Sequence, residues 1–288
     1  MKKILTMALL AFMLISPIHS FADAAEGDMI VTLGENLTDQ QKSSMLEEMN
    51  APKDVQIITV SNQEEHQYLG KYVSSSLIGT KAISSSAITI AAPGSGISVK
   101  TKNITWVTNE MYVNALITAG VKDANIYITA PVPVSGTAAL TGIIKAYEIS
   151  ADKTIPEDVK QAANQEMVTT AKLGDAIGDK NAAALIAKIK DEIAKNKPNN
   201  DQELRAIIEN AAKELGITLT EAQIQSLMDL FNKLKDLNIN WNQVSDQLHK
   251  AQDQVTKFLS SDQGQSFLEK LKQFFISLID AIKSLFSK

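Results

Sequence analysis

The pattern of apolar and polar positions changes character once along this chain. Residues 29–149 alternate short apolar runs with stretches of helical period, whereas everything after about residue 155 keeps the helical period. Met29 to Leu33 predicts a strand, and Thr38 with Gln41 has the spacing of a capping box that opens a helix running to Met49. Val55 to Val60 is the next strand. Asn62 with Glu65 repeats the capping spacing at the start of a second helix, through Tyr68. Ile83 to Ala92 and Ile97 to about Trp106 are rich in β-formers and are joined by Pro93-Gly94-Ser95-Gly96, which predicts a hairpin. Thr108 to Ala119 then predicts a helix, Ala124 to Thr129 a strand, and Gly136 to Ile149 a helix.

Lys53-Asp54-Val55-Gln56-Ile57 echoes Lys122-Asp123-Ala124-Asn125-Ile126, each segment following a helix and opening a strand. The expected fold class is therefore an α/β N-terminal domain over residues 23–150, two βαβα-like units with an inserted β-hairpin, followed by an all-α helical region over residues 151–288. The echo fits an internal duplication, and it equally fits a preference of helix–strand joints for Lys-Asp. In the second half, Thr154 with Glu157, Asn200 with Glu203 and Thr220 with Gln223 each have capping-box spacing. Helices are expected near 156–173, 179–196, 201–215, 220–237, 241–260 and 264–286. Short connections between them favour antiparallel neighbours.

The extreme N-terminus departs from both patterns. Lys2 and Lys3, the apolar run Ile4 to Ile15, Pro17, and the small residues Ser20 and Ala22 have the order of a secretory signal peptide over residues 1–22, with cleavage expected between Ala22 and Asp23. The apolar run is short for a membrane anchor. The chain has no cysteine, which excludes disulfides, thiolate metal sites and a cysteine nucleophile. Loss of Lys2 and Lys3 takes the formal charge from −5 to −7. An acidic chain with Arg205 as its sole arginine is a poor match for nucleic acid, so no nucleic-acid partner is expected.

Candidate chemistry is sparse. If the strands of the βαβα pattern are parallel, four strand-to-helix junctions share one sheet edge, where helix N-termini offer free N–H groups to a ligand. Those junctions nominate Asn36, Asn62, Asn109 and the triplet Ser135, Gly136 and Thr137 as ligand-binding residues. Pro131 and Pro133 stiffen the approach to that triplet and Gly136 permits close backbone contact. The plainer reading is that Ser135 caps a helix. Glu64-Glu65-His66 falls short of a transition-metal pattern. Ser74 to Ser76 and Ser84 to Ser86 read as a polar loop and an exposed strand face. Asp236, Asn238, Asn240 and Asn242 alternate like the first ligands of a calcium loop, but Trp241 stands where glycine is needed and Gln247 where a bidentate Glu belongs, leaving a helix–helix turn capped by Asn240. No metal, cofactor or catalytic residue is expected. Near the C-terminus, Phe267, Leu271, Phe274, Phe275, Leu278, Ile282, Leu285 and Phe286 form a broad apolar stripe rimmed by lysine, which could meet a membrane surface or a partner, or close the core of the helical half.

Val31-Thr32-Leu33-Gly34 with Leu37-Thr38, Glu64 to Gly70, Ile78 to Ser85, Met111 to Leu116, and Thr129 to Gly142 together resemble the YpuA-like secreted proteins of Gram-positive bacteria, domain-of-unknown-function family 1002. The resemblance is strong over residues 29–150 and looser beyond. It implies secretion, association with the cell envelope and a link to envelope stress, and it brings no assigned reaction. The expected function is that of a secreted, non-catalytic, envelope-associated protein that binds a polar or anionic envelope component or protein, with possible peripheral membrane contact. The alternatives are a wall-polymer hydrolase using carboxylates such as Glu35, and a membrane-surface protein acting through its last helix.

Overall fold

The computed structural model describes residues 25–260. In chain order, β1 (Met29–Gly34), α1 (Asp39–Glu48), β2 (Gln56–Val60), α2 (Asn62–Leu69) and the single turn α3 (Ser75–Ile78) lead to β3 (Ser85–Ile90). Then come β4 (Ile97–Ile104), α4 (Asn109–Thr118), β5 (Ala124–Val134) and α5 (Thr137–Ser150). The remainder is helical: α6 (Glu157–Ile177), α7 (Asp179–Asn196), α8 (Asp201–Glu214), α9 (Glu221–Asp236) and α10 (Trp241–Ser260). The chain is thus α/β and then helical, as its periodicity predicts. The signal segment and the apolar stripe from Phe267 to Phe286 lie outside the described residues. Among those residues, no helix is long and apolar enough to cross a membrane.

The five strands form one mixed sheet in the order β2-β1-β3-β5-β4. The pairs β1/β2 and β4/β5 are parallel, and β3 runs antiparallel between β1 and β5. The expected hairpin is therefore absent, because β5 lies between its two arms. Pro93 to Gly96 does turn the chain, but the turn bridges the start of β5. The Ala91 N–H donates to the Asp123 carbonyl at 2.7 Å and the Gly96 N–H to the Asp123 carboxylate at 2.8 Å. β5 is also longer than its apolar run suggested. Its prolines, Pro131 and Pro133, fall beyond the last β3 pair at Thr129, where a missing N–H breaks no bond to that strand.

Alternation within the strands separates two packing layers. Val31, Leu33, Ala87 and Tyr127 face α1 through Met45 and Met49. Ile30, Ile88, Ile126 and Ile128 face α4 and α5 through Met111, Leu116, Leu140 and Ile143. The crossovers α1 and α4 thus cover opposite faces, so the Lys-Asp echo is not repeated as a copy in three dimensions. Helix α5 lies hard against β1. The Thr32 hydroxyl donates to the Gly142 carbonyl at 3.1 Å, and a Cβ on Gly142 would stand 2.6 Å from the Thr32 methyl. β3 lies inside the sheet, so Ser84, Ser85 and Ser86 are buried instead of forming an exposed strand face.

Helix starts follow local chemistry with two shifts. Thr38 with Gln41 and Thr220 with Gln223 form the expected reciprocal boxes, and Asn200 caps Glu203. The box at α2 is Ser61 with Glu64, one residue before the predicted pair, which leaves Glu65 to point inward. Thr154 does not cap α6; Pro156 holds that position.

The core does not pause where the architecture changes. Val159, Ala163, Met167 and Val168 of α6 join the sheet-facing core, while the opposite side of α6 and helices α7 to α9 close a second core around Leu185, Ile189, Leu230 and Phe231. Between α4, α6 and α7, Lys190 and Glu166 are fully buried. The Lys190 ammonium donates to the Asn114 carbonyl at 2.8 Å, the Thr118 hydroxyl at 2.7 Å and the Glu166 carboxylate at 3.0 Å, and Thr118 donates to the other Glu166 oxygen. Burial pushes the Glu166 carboxyl up and the Lys190 ammonium down, and their mutual attraction opposes both shifts.

Glu166→Leu strands a buried ammonium and is expected to cost about 3–5 kcal/mol in urea denaturation. Glu166→Leu with Lys190→Met, which removes both charges, is expected to recover most of that loss. Equal losses in the single and double variants would refute this account of the network.

Candidate functional site

β1, β2, β4 and β5 all run the same way, so their C-terminal ends and the junctions Gly34-Glu35-Asn36, Ser61-Asn62, Thr108-Asn109 and Ser135-Gly136-Thr137 lie along one sheet edge. The predicted site residues share this rim, but most of their polar atoms serve the protein itself. Asn36 Oδ1 accepts from the Ala82 N–H at 2.8 Å, and Asn62 donates to Glu65 at 2.9 Å. Asn109 follows Thr108, whose hydroxyl accepts from the Met111 N–H, and Asn109 Oδ1 is buried without a partner among the described residues.

The triplet at the start of α5 is a packing joint. Ser135 donates to the Leu77 carbonyl at 3.4 Å and does not cap the helix. Gly136 occupies the cap position at φ +91°, a left-handed conformation suited to glycine. Its carbonyl accepts from the Tyr112 hydroxyl, and a Cβ there would collide with the Ile104 side chain. Gly136 and Thr137 are buried, so no open amide cradle exists at this corner.

Glu64, Glu65 and His66 diverge. Glu64 reaches Lys145, Glu65 turns into the interior, and His66 Nε2 lies 3.1 Å from the Gly79 carbonyl. Among the described residues no group of three His, Asp or Glu side chains could hold a metal ion. At the proposed calcium-like turn, Asn240 accepts from the Gln243 N–H at 3.1 Å and caps α10. Burial pushes the Glu65 carboxyl up to about 7, with Asn62 donating the opposing hydrogen bond.

A polar concavity of about 200 Å³ lies away from the nominated triplet, between α2, α5 and α6. Helix α2 contributes Glu64 and Tyr68, α5 contributes Thr141, Lys145 and Glu148, and α6 contributes Lys160 and Asn164. Within each helix these residues stand three or four apart, so each set forms one stripe. The charges satisfy one another. Lys145 donates to Glu64 at 2.8 Å and to the Thr59 carbonyl at 3.1 Å. Lys160 pairs with Glu148 at 3.2 Å, and Glu148 also accepts from the Ile155 N–H at 2.7 Å. Partial burial works to raise the Glu64 carboxyl, but Lys145 and the Ser61 N–H outweigh it and hold the group below the usual range. Tyr68 donates to Glu157 at 3.2 Å; burial and that carboxylate push its hydroxyl up to about 12.

Two of the lining residues each carry a polar atom that remains over. Thr141 Oγ1 and Asn164 Oδ1 are buried without a hydrogen-bond partner among the described residues. Asn164 spends its amide on the Lys160 carbonyl at 2.9 Å, leaving its oxygen as a pure acceptor. A cleft whose ions are already paired, and whose spare groups are a hydroxyl and an amide oxygen, suits a small uncharged group with O–H or N–H donors. Its volume matches roughly six or seven waters at about 30 Å³ each, below the roughly 300 Å³ at which pockets for drug-sized ligands begin. None of Tyr68, Thr141, Lys145, Glu148, Lys160 and Asn164 stood out in the sequence. The available signal was Lys145, a charged residue at the centre of the otherwise apolar α5 segment Gly142 to Tyr147.

A profile of the family described as protein of unknown function (DUF1002) matches residues 33–251. "Uncharacterized protein YpuA" of Bacillus subtilis (strain 168) is 57% identical over 281 residues, covering 97% of this chain and 97% of that protein. No solved structure matches the chain.

Glu65 generates a test with a defined sign. Its carboxyl titrates near 7 in the folded protein against 4.5 for the ordinary value, so burial costs nothing below pH 4.5 and the penalty grows as pH rises through 7. Glu65→Gln is expected to raise stability by about 1–3 kcal/mol at pH 8 and to leave it unchanged near pH 4. Urea denaturation at both pH values checks this, and an identical difference at the two would refute it.

Proposed function

The chain belongs to the DUF1002 family, and we propose that it is a secreted, non-catalytic protein of the cell envelope that holds a polar envelope component in the cleft between α2, α5 and α6. The observation that carries this reading is the pair of buried, unpartnered atoms, Thr141 Oγ1 and Asn164 Oδ1, on two residues that line a concavity whose charges are otherwise matched. Leaving such groups unpaired costs about 1–3 kcal/mol each, which a ligand bearing hydroxyl or amide donors would relieve. The small volume suits one protruding group of a larger polymer. The charged N-terminal residues, the apolar run and the small residues before Asp23 support export.

A carboxylate hydrolase is the weaker reading. Glycoside cleavage needs one carboxyl raised to act as an acid beside a second that stays ionised. In the cleft, Glu64 is shifted the opposite way, and the raised Glu65 is buried and does not line the cleft. Membrane contact through Phe267 to Phe286 involves residues outside those described and remains an alternative to be read from vesicle binding.

Pelleting with purified Gram-positive cell walls tests the binding reading. The full chain is expected to co-sediment, and Thr141→Val with Asn164→Leu to weaken retention roughly tenfold, as expected for two lost hydrogen bonds of about 0.5–1.5 kcal/mol each. Co-sedimentation that ignores both substitutions, or none at all, would overturn it. Export makes a separate prediction: intact mass of the protein recovered from culture medium or wall washes should correspond to a chain beginning at Asp23. Retention of residues 1–22 in that material would contradict export with cleavage.

A further inference from the structure

A second concavity, about 390 Å³, lies between α6 and α9 beside the turn that leaves α2. Its electrostatics differ from those of the first cleft. Lys71 and Lys172 line it, and Lys233 stands behind the lining residue Tyr72, with its ammonium 5.3 Å from the ring centroid. None of the three has a carboxylate partner among the described residues. Lys172 donates to the Tyr72 carbonyl, and Lys233 donates to the Tyr72 hydroxyl at 2.8 Å and to Gln165 at 3.0 Å. Lys71 makes no polar contact with a described residue.

Among the charged lining residues, Lys71 and Lys172 face one carboxylate, Asp229, already accepting from Gln225 at 2.8 Å. A local surplus of positive charge in a chain of net charge −5 is unusual enough to ask what it meets. The neutral lining adds donors of the right kind. Thr169 and Ser226 also line the groove, and neither hydroxyl has a partner among the described residues.

We infer that this groove binds a phosphoryl group. Lys71 lies on the turn after α2, Lys172 and Thr169 on α6 and Ser226 on α9, and cations and hydroxyls supplied from three sides suit an anion whose oxygens also point in several directions. A planar carboxylate is better held by a guanidinium fork, and Arg205, the sole arginine, is committed to Glu209 and to both oxygens of Glu221. The site is distinct from the α2/α5/α6 cleft: Asn164 of α6 serves one concavity, and Gln165, Thr169 and Lys172 serve the other. The phosphoryl group can be soluble or part of a lipid headgroup, and the experiment separates the two.

Calorimetric titration of the full chain with inorganic tripolyphosphate tests the inference. Binding is expected, with affinity falling as sodium chloride rises. Lys71→Gln with Lys172→Gln, both at exposed positions, is expected to weaken it about tenfold with an unchanged circular dichroism spectrum. Flotation with phosphatidylcholine vesicles, with and without phosphatidylglycerol, forms the second arm. Flotation that requires both phosphatidylglycerol and the two lysines assigns the group to a lipid headgroup; lysine-dependent tripolyphosphate binding without such flotation assigns it to a soluble phosphoryl ligand. Failure of both probes to bind, or binding indifferent to the two substitutions, would overturn the inference. The cleft variant Thr141→Val with Asn164→Leu should bind tripolyphosphate normally, so failure of either proposal leaves the other readable.

Discussion

An ion pair sealed from water sets the register at which the helical half meets the sheet-bearing half. Lys190 and Glu166 carry charges into the interior, where isolated ions are strongly disfavoured, and they are tolerated because every proton of the ammonium finds an acceptor. Those acceptors lie on α4 and α6 while the lysine lies on α7. The network can close only when all three helices are in register, so it ties α4, which packs on the sheet, to α6 and α7 of the helical half. Asn114 adds a second tie, donating to the Ala183 carbonyl of α7 at 3.0 Å. A purely apolar contact would tolerate sliding; directional bonds to a buried charge do not.

With that register set, α6 occupies a position between two different surfaces. Its apolar stripe completes the sheet-facing core through Ala163 and Met167, and its polar positions open into two concavities. One has matched charges and spare neutral groups; the other has unmatched lysines. The strand-end rim, where open α/β sheets commonly place ligands, is used differently. Tyr112, Leu77 and Ala82 take up the polar groups of the rim, and the hydrogen bonds that could have met a ligand hold α3 and the β5–α5 joint in place.

Much of the local structure was legible before any coordinates. The helices from Glu157 to Ser260 fall where the period and the Asn200 and Thr220 caps placed them, because amphipathic period and capping are local properties. The hairpin failed for a non-local reason. A Pro-Gly turn between two β-rich arms is compatible with pairing, but each arm gains more by pairing with β5, which arrives later in the sequence. The cleft was hidden for a related reason: Glu64, Thr141, Lys145 and Asn164 are ordinary helix residues until three helices converge, and no spacing in the chain links positions so far apart.

Taken alone, the sequence determined the element types, the change from α/β to helical architecture, the absence of thiol chemistry and the family, since these depend on composition, short-range period and extended similarity. Tertiary structure alone decided strand order, the burial of the Ser135 corner, the desolvation of Glu65 and Glu166, and the gathering of unpaired donors and acceptors into two concavities. Each of these depends on which surfaces lose their water together, a property of contacts between distant segments that a linear order of residues does not contain.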